Sequence, residues 1–327
     1  MKNYIAQFTE QLQDALNIGK AANLAKQKTE IKNVLILGLG GSGIGGSLIQ
    51  DRVKESCAVP VLTNKDYNIP AFVNENTLII VSSYSGNTEE TLTALGQALE
   101  RGAEVAAVTS GGKLEKLSEQ HKFNLIKVPG GHPPRAMLAY SLVQLLIYFR
   151  HYNLFDVDIE KELSDAISLI KTEKEQIQKE ARVCAKSLKN TIPFIYAADG
   201  YGALAVRTKQ QINENAKMLC HADVVPEMNH NELVGWAGGD EKISVLFLRS
   251  KDEHPRNAKR IEINEMIIKK YTDNVHQVWS KGDSRIVRTL YLIHLGDWIS
   301  IYLSELTGAD PVEVKVIDYL KGELSKF

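Results

Sequence analysis

Two stretches of this 327-residue chain have the residue types and spacing to hold an anion. The first is residues 33–50, NVLILGLGGSGIGGSLIQ, where Gly38, Gly40, Gly41, Gly43, Gly45 and Gly46 crowd the turn after an apolar run. A strand, a glycine turn and a helix together present backbone N–H groups and a positive helix end to an anion. A Cβ in such a turn would block both positive φ values and close approach of the ligand. Gly38-x-Gly40-x-x-Gly43 matches the dinucleotide fingerprint, and Asp66 lies where a ribose-binding acid could sit, but that spacing alone is a weak signal. No lysine follows the glycines, so this is not a Walker loop. The second stretch is residues 82–91, SSYSGNTEET. Ser83, Ser85 and Thr88 place three hydroxyls just before a helix, at a strand's carboxyl end, where open α/β sheets bind ligands. A Ser/Thr/Asn-rich cap has the same composition. Beside a glycine turn on a neighbouring strand, phosphate binding is the better reading, because hydroxyls and N–H groups converge there.

The elements that must position these loops follow from hydrophobic patterning. Apolar runs at 34–37, 59–62, 78–81, 104–108 and 123–128 predict buried strands, with helices at 1–30, 89–101 and 136–148. Thr88 or Asn87 is the expected cap of the helix at 89–101. The second half repeats the plan, with strands at 193–198, 243–248 and 275–279, a glycine turn at 199–202, and helices at 203–219, 256–271, 287–306 and 312–327. A charged amphipathic helix at 158–189 connects the halves. Strands alternating with helices mean an α/β protein with parallel sheets covered on both faces. The order of elements predicts two similar lobes, 1–153 and 154–327, related by duplication.

Composition narrows the function classes. With 44% hydrophobic and 24% charged residues and a net charge of −1, no basic face for nucleic acid or a membrane surface is indicated. No apolar run is long enough to span a bilayer, and the first residues are polar and amphipathic, unlike a signal peptide. Cys57, Cys184 and Cys220 are odd in number and widely spaced, which predicts buried thiols in a reducing cytoplasm. The eight histidines show neither HxH nor HExxH spacing, so no metal and no cofactor is expected.

GLGGSGIGG together with SYSGNTEET resembles the sugar isomerase (SIS) family of phosphosugar-binding domains. PEMNHNELVGW (226–236), QINENAK (211–217) and HPPR (132–135) narrow the resemblance to the bifunctional phosphoglucose/phosphomannose isomerases, along essentially the whole chain. The resemblance implies two SIS-type domains of three-layer αβα, flavodoxin-like form. It implies interconversion of glucose 6-phosphate and fructose 6-phosphate, and of mannose 6-phosphate and fructose 6-phosphate. Gly41 and Ser42 would lie beside the sugar, and Ser83, Ser85 and Thr88 would hold the phosphate. Arg135 would stabilise a cis-enediolate, Glu214 would carry the proton between C2 and C1, and His230 would open the ring. Taken by themselves these are a loop arginine, a helix carboxylate and a loop histidine, and Glu227 and Glu232 compete with Glu214. His230 would come from the neighbouring subunit, which implies a homodimer. A lysine of the C-terminal helix completes the set; the V-x-x-I-x-x-L-K pattern fits Val314, Ile317, Leu320 and Lys321, with Lys315 as the alternative. Some mannose 6-phosphate-handling relatives carry a small hydroxyl residue where this chain has Val314. The rival readings are another phosphosugar enzyme on the same fold, a non-catalytic phosphosugar sensor and a nicotinamide dehydrogenase.

Overall fold

In the first half, five short apolar runs become parallel strands: β1 (Asn33–Leu37), β2 (Val61–Asn64), β3 (Thr77–Ser82), β4 (Glu104–Thr109) and β5 (Asn124–Lys127). The computed structural model describes residues 1–326. Every residue of β3 and β4 is buried, as expected of central strands covered on both faces. The order is β2-β1-β3-β4-β5, with all pairings parallel. The second half forms β6 (Ile192–Ala198), β7 (His221–Val225), β8 (Ile243–Arg249) and β9 (Val275–Trp279), again all parallel, in the order β7-β6-β8-β9. The two orders coincide except for the fifth strand, which is the flavodoxin-like winding stated twice.

The expected elements are present with several corrections. The N-terminal helical region stops at Ala21 instead of residue 30. The apolar spacing ends there, and residues 25–29 instead bond to β5 and β4, with Ala25 N donating to Asn124 and Lys28 N and Thr29 N donating to Glu104. The connecting helix is two helices, Ile159–Thr172 and Lys174–Leu188, separated at Glu173. That break lets both apolar stripes lie on the long helix Arg285–Thr307. The helix expected at 203–219 is α-helical only over Gly202–Gln211, continues as a π-helical turn over Ile212–Ala216, and stops at Lys217, whose φ is +55°. The strand β7 follows, and patterning missed it because its residues, HADVV, alternate poorly. The helix Gly112–His121 was also missed. The last helix runs Lys315–Leu324; the final residue of the expected 312–327 span lies outside the described residues.

One buried apolar cluster runs through both halves. It joins Phe8 and Leu12 of the N-terminal helix, Leu145 and Tyr148 of the helix Leu138–His151, and Leu290, Tyr291 and Trp298 of the helix Arg285–Thr307. Smaller clusters cover the outer faces, around Leu35, Ile79 and Leu95 in the first half and Tyr196, Phe247 and Ile261 in the second. No described helix is long and apolar enough to cross a membrane.

His294 sits inside the shared cluster, stacked on Phe8 at 5.3 Å and accepting a hydrogen bond at Nε2 from Trp298 Nε1 at 3.0 Å. Burial holds its pKa down to about 4, against 6.5 for an ordinary histidine. A folded pKa below the unfolded one means stability is complete above about pH 6.5 and is lost as the pH falls toward 4. At 1.36 kcal/mol per pH unit the loss is up to about 3 kcal/mol. Urea midpoints measured from pH 8 to 4 should fall through that window in the native chain and much less in His294→Gln; parallel pH profiles would refute the assignment.

Candidate active site

β1 and β3 are bonded neighbours, with Leu37 opposite Val81, so their carboxyl-end loops emerge side by side. The sheet's strand order reverses at this point, which is where such sheets place ligands. The glycine turn follows β1 and becomes the helix Gly40–Val53. A Cβ on Gly43 would lie 2.3 Å from the carbonyl oxygen of Gly38, so the turn closes this tightly only with glycine. The serine loop follows β3, and Ser42 Oγ joins the two loops by accepting from Tyr84 N at 2.9 Å. Ser83 is buried, with Oγ 3.1 Å from Thr88 Oγ1. Ser85 is exposed and accepts from Asn87 N at 3.2 Å. Thr88 occupies the N-cap of the helix Glu89–Glu100, but its hydroxyl turns to Ser83 and does not cap the first turn. Gly86, at φ +65°, packs so closely that a Cβ would meet the Gly111 carbonyl oxygen at 1.8 Å. The paired hydroxyls of Ser83 and Thr88, with Ser85 on the same loop and two helix N-termini beside it, make a suitable cradle for a phosphate.

Arg135 lies on the other side of Gly41, whose Cβ, if it had one, would be 3.2 Å from Arg135 N. The Arg135 side chain is buried, and all three of its nitrogens are engaged. Nε donates to Asn215 Oδ1 at 2.9 Å, Nη1 to Glu214 Oε2 at 3.1 Å, and Nη2 to the carbonyl oxygens of Pro311 and Val312. Burial lowers the guanidinium's pKa and the Glu214 charge pulls it back up; arginine remains cationic throughout. The π-helical turn explains how adjacent residues both reach Arg135: widening the turn at Ile212–Ala216 aims Glu214 and Asn215 toward it. Behind them, Arg207 donates to the Arg135 carbonyl oxygen at 2.9 Å and to both carboxylate oxygens of Asp297. Gln211 also donates to Asp297, and Asn215 donates to Ser300. Burial raises the Asp297 carboxyl, opposed by the charge of Arg207.

Lys217 closes the arrangement. Its left-handed backbone ends the helix, and Nζ donates to the carbonyl oxygens of Glu214, Asp310 and Glu313 at 2.6, 2.9 and 2.7 Å. Together Lys217 and Arg135 bind four consecutive carbonyls, residues 310–313, just before the last helix.

Two family models match the chain: the SIS domain over residues 29–149, and the bacterial phospho-glucose isomerase C-terminal SIS domain over residues 177–324. A bifunctional phosphoglucose/phosphomannose isomerase of Caldicellulosiruptor bescii is 41% identical, with 97% of this chain and 96% of the relative covered. The chain belongs to the bifunctional phosphoglucose/phosphomannose isomerases. The Aquifex aeolicus member is 36% identical over 93% of this chain and 94% of its own. Among solved structures, the C-terminal domain of glucosamine-fructose-6-phosphate aminotransferase from Francisella tularensis shares the fold, with a TM-score of 0.74 at 14% identity over 95% of this chain and 98% of its own.

Within this bifunctional isomerase the sequence-derived residues divide into two groups. Gly41, Ser42, Ser83, Thr88, Arg135 and Glu214 form one connected set, while Ser85 is exposed on the same loop and its hydroxyl bonds only Asn87 N. His230 and Lys321 are exposed, and no hydrogen bond or ion pair among the described residues joins their side chains to that set. Lys315 is exposed as well. The carboxylate alternatives separate clearly. Glu232 is bound to Tyr196 and His221, Glu227 is exposed beside Asn231, and only Glu214 meets Arg135. Asn215, Lys217, Arg207, Asp297 and Tyr84 were not foreseen. Asn215 and Lys217 were within a recognised motif, but nothing in spacing marks a π-turn. Arg207 and Asp297 are far apart in sequence and meet only in the fold.

The second half's glycine turn is filled by the protein itself. Asp51 Oδ2 accepts from Ala203 N at 2.8 Å in the first turn of the helix Gly202–Gln211. The Arg285 guanidinium lies where a Cβ on Gly200 would be, 2.1 Å from that position. The corresponding turn of the second half therefore holds a carboxylate of the chain's own, while the first-half turn faces Arg135.

Proposed function

We propose that the protein interconverts glucose 6-phosphate and fructose 6-phosphate, and mannose 6-phosphate and fructose 6-phosphate, by ring opening and a cis-enediol. The observation that carries this reading is the Arg135–Glu214 pair, 3.1 Å apart, beside the glycine turn and the hydroxyl cradle. Ser83, Ser85 and Thr88 hold the phosphate, and Gly41 and Ser42 lie along the sugar. Glu214, which accepts from Arg135 Nη1, takes the C2 proton of the aldose and delivers it to C1. Arg135 stabilises the enediolate oxygen. Lys321 brings a second positive charge to the bound sugar. The chain's own acid–base groups carry the proton transfers, and the lobes 1–153 and 154–327 work as one duplicated unit in a reducing cytoplasm.

His230 opens the ring from the neighbouring subunit of a homodimer, which agrees with its exposure. This arrangement makes a distinctive expectation. Glu214→Gln and His230→Ala homodimers are each inactive on cyclic substrate, but a heterodimer of the two has one complete site. Unfolding and refolding an equal mixture should restore about a quarter of native activity, since about half the dimers are mixed and each has one good site of two. No recovery from a mixture shown to exchange subunits would exclude the shared site.

The function itself is tested by supplying fructose 6-phosphate to the purified protein, with and without EDTA, and following both aldose phosphates. Formation of both, in either condition, is the expected result. Glucose 6-phosphate alone would assign a narrowed specificity to Val314, the N-cap of the last helix. Neither product would refute the proposal in favour of a sensor or another phosphosugar enzyme.

A further inference from the structure

We propose that His221, Asp223 and Glu232 form a divalent transition-metal site of the zinc class, which clasps the His230-bearing loop to the edge of the second sheet. His221 and Asp223 are two residues apart on the edge strand β7, so they share a face, opposite Phe194 and Tyr196 of β6. The chain leaves β7, passes through the 3-10 turn Glu227–His230, and returns to place Glu232 against them. One ligand atom from each of the three lies within 4.8 Å of the others.

Each carboxylate has one oxygen fixed by a neutral donor. Tyr196 Oη donates to Glu232 Oε1, and Val224 N donates to Asp223 Oδ1 at 2.7 Å. The remaining oxygen of each is left for another partner, and Glu232 Oε2 is 2.9 Å from His221 Nε2. The Phe194 ring, 4.8 Å from the imidazole, fixes its orientation. Among the described residues no lysine or arginine pairs with either acid; His221 is Glu232's sole ion-pair partner and Asp223 has none. Two converging carboxylates with one imidazole and no fixed cation make a three-ligand set suited to zinc, with water completing the coordination of these half-buried groups. Tyr196 is the outer-shell residue that orients Glu232. Motif spacing does not reveal such a site, because its single histidine and two acids come from a strand and a returning loop.

The test uses the full chain, stripped of metal and dialysed against micromolar zinc or cobalt. One equivalent should bind per chain, and the cobalt spectrum should lack the sulfur charge-transfer band that the adjacent Cys220 would introduce. Asp223→Asn combined with His221→Gln should weaken binding at least about 100-fold, and Tyr196→Phe about tenfold, with unchanged circular dichroism of the metal-free proteins. Substoichiometric binding, a thiolate band, or undiminished binding by the double variant would overturn the proposal. These readouts are independent of isomerase activity, so they do not depend on the proposed function.

Discussion

Glu214→Gln should reduce kcat for fructose 6-phosphate isomerisation by at least about 10³-fold while changing sugar-phosphate affinity only a few-fold. General acid–base groups contribute roughly 10²–10⁴-fold, and in the proposed mechanism one carboxylate both removes and returns the proton, which puts the expected loss in the upper part of that range. Glutamine keeps an oxygen that can accept from Arg135 Nη1, which in the native chain meets Glu214 at 3.1 Å. The geometry around Arg135 is therefore retained and only the basicity is removed. Turnover by coupled assay and calorimetric binding of a sugar-alcohol phosphate measure the two quantities separately. A variant within tenfold of native turnover would remove Glu214 from the role and return attention to Glu227.

Arg135→Lys should be nearly as damaging, with kcat lowered about 10²–10³-fold, the usual consequence of losing a donor aimed at a developing oxyanion. Charge is conserved, but an ammonium cannot reach Asn215, Glu214 and the Pro311 carbonyl together, as the guanidinium does. The variant separates charge from geometry. A lysine enzyme near native turnover would show that charge alone suffices. Because Nη2 contacts the carbonyls of Pro311 and Val312, the same change should loosen residues 310–313, which hydrogen exchange would detect.

The sequence made the fold legible wherever apolar runs were continuous. β1, β3, β4 and β8 are buried runs with clear edges, and the glycine turns after β1 and β6 were placed correctly. β7 escaped because an edge strand that is partly exposed carries no continuous apolar run. The break at Glu173 escaped because the residues on both sides are good helix formers, and it is tertiary packing that separates the stripes. Residue types pointed to the hydroxyl-rich loop without the fold, and since a Ser/Thr/Asn-rich cap has the same composition, it was the neighbouring glycine turn that favoured the phosphate reading. The residues proposed for proton transfer were singled out only through family resemblance. A single glutamate in a polar helix becomes distinctive once a buried arginine 79 positions earlier is seen to meet it.

The apolar cluster shared by both sheets also ties the stability of each half to that of the other. Here Phe8 near the start stacks on His294 near the end, and the helices Leu138–His151 and Arg285–Thr307 bury their surfaces in one common interior. Either half alone would present that interior to water, so the two halves should unfold in one cooperative step and not one after the other.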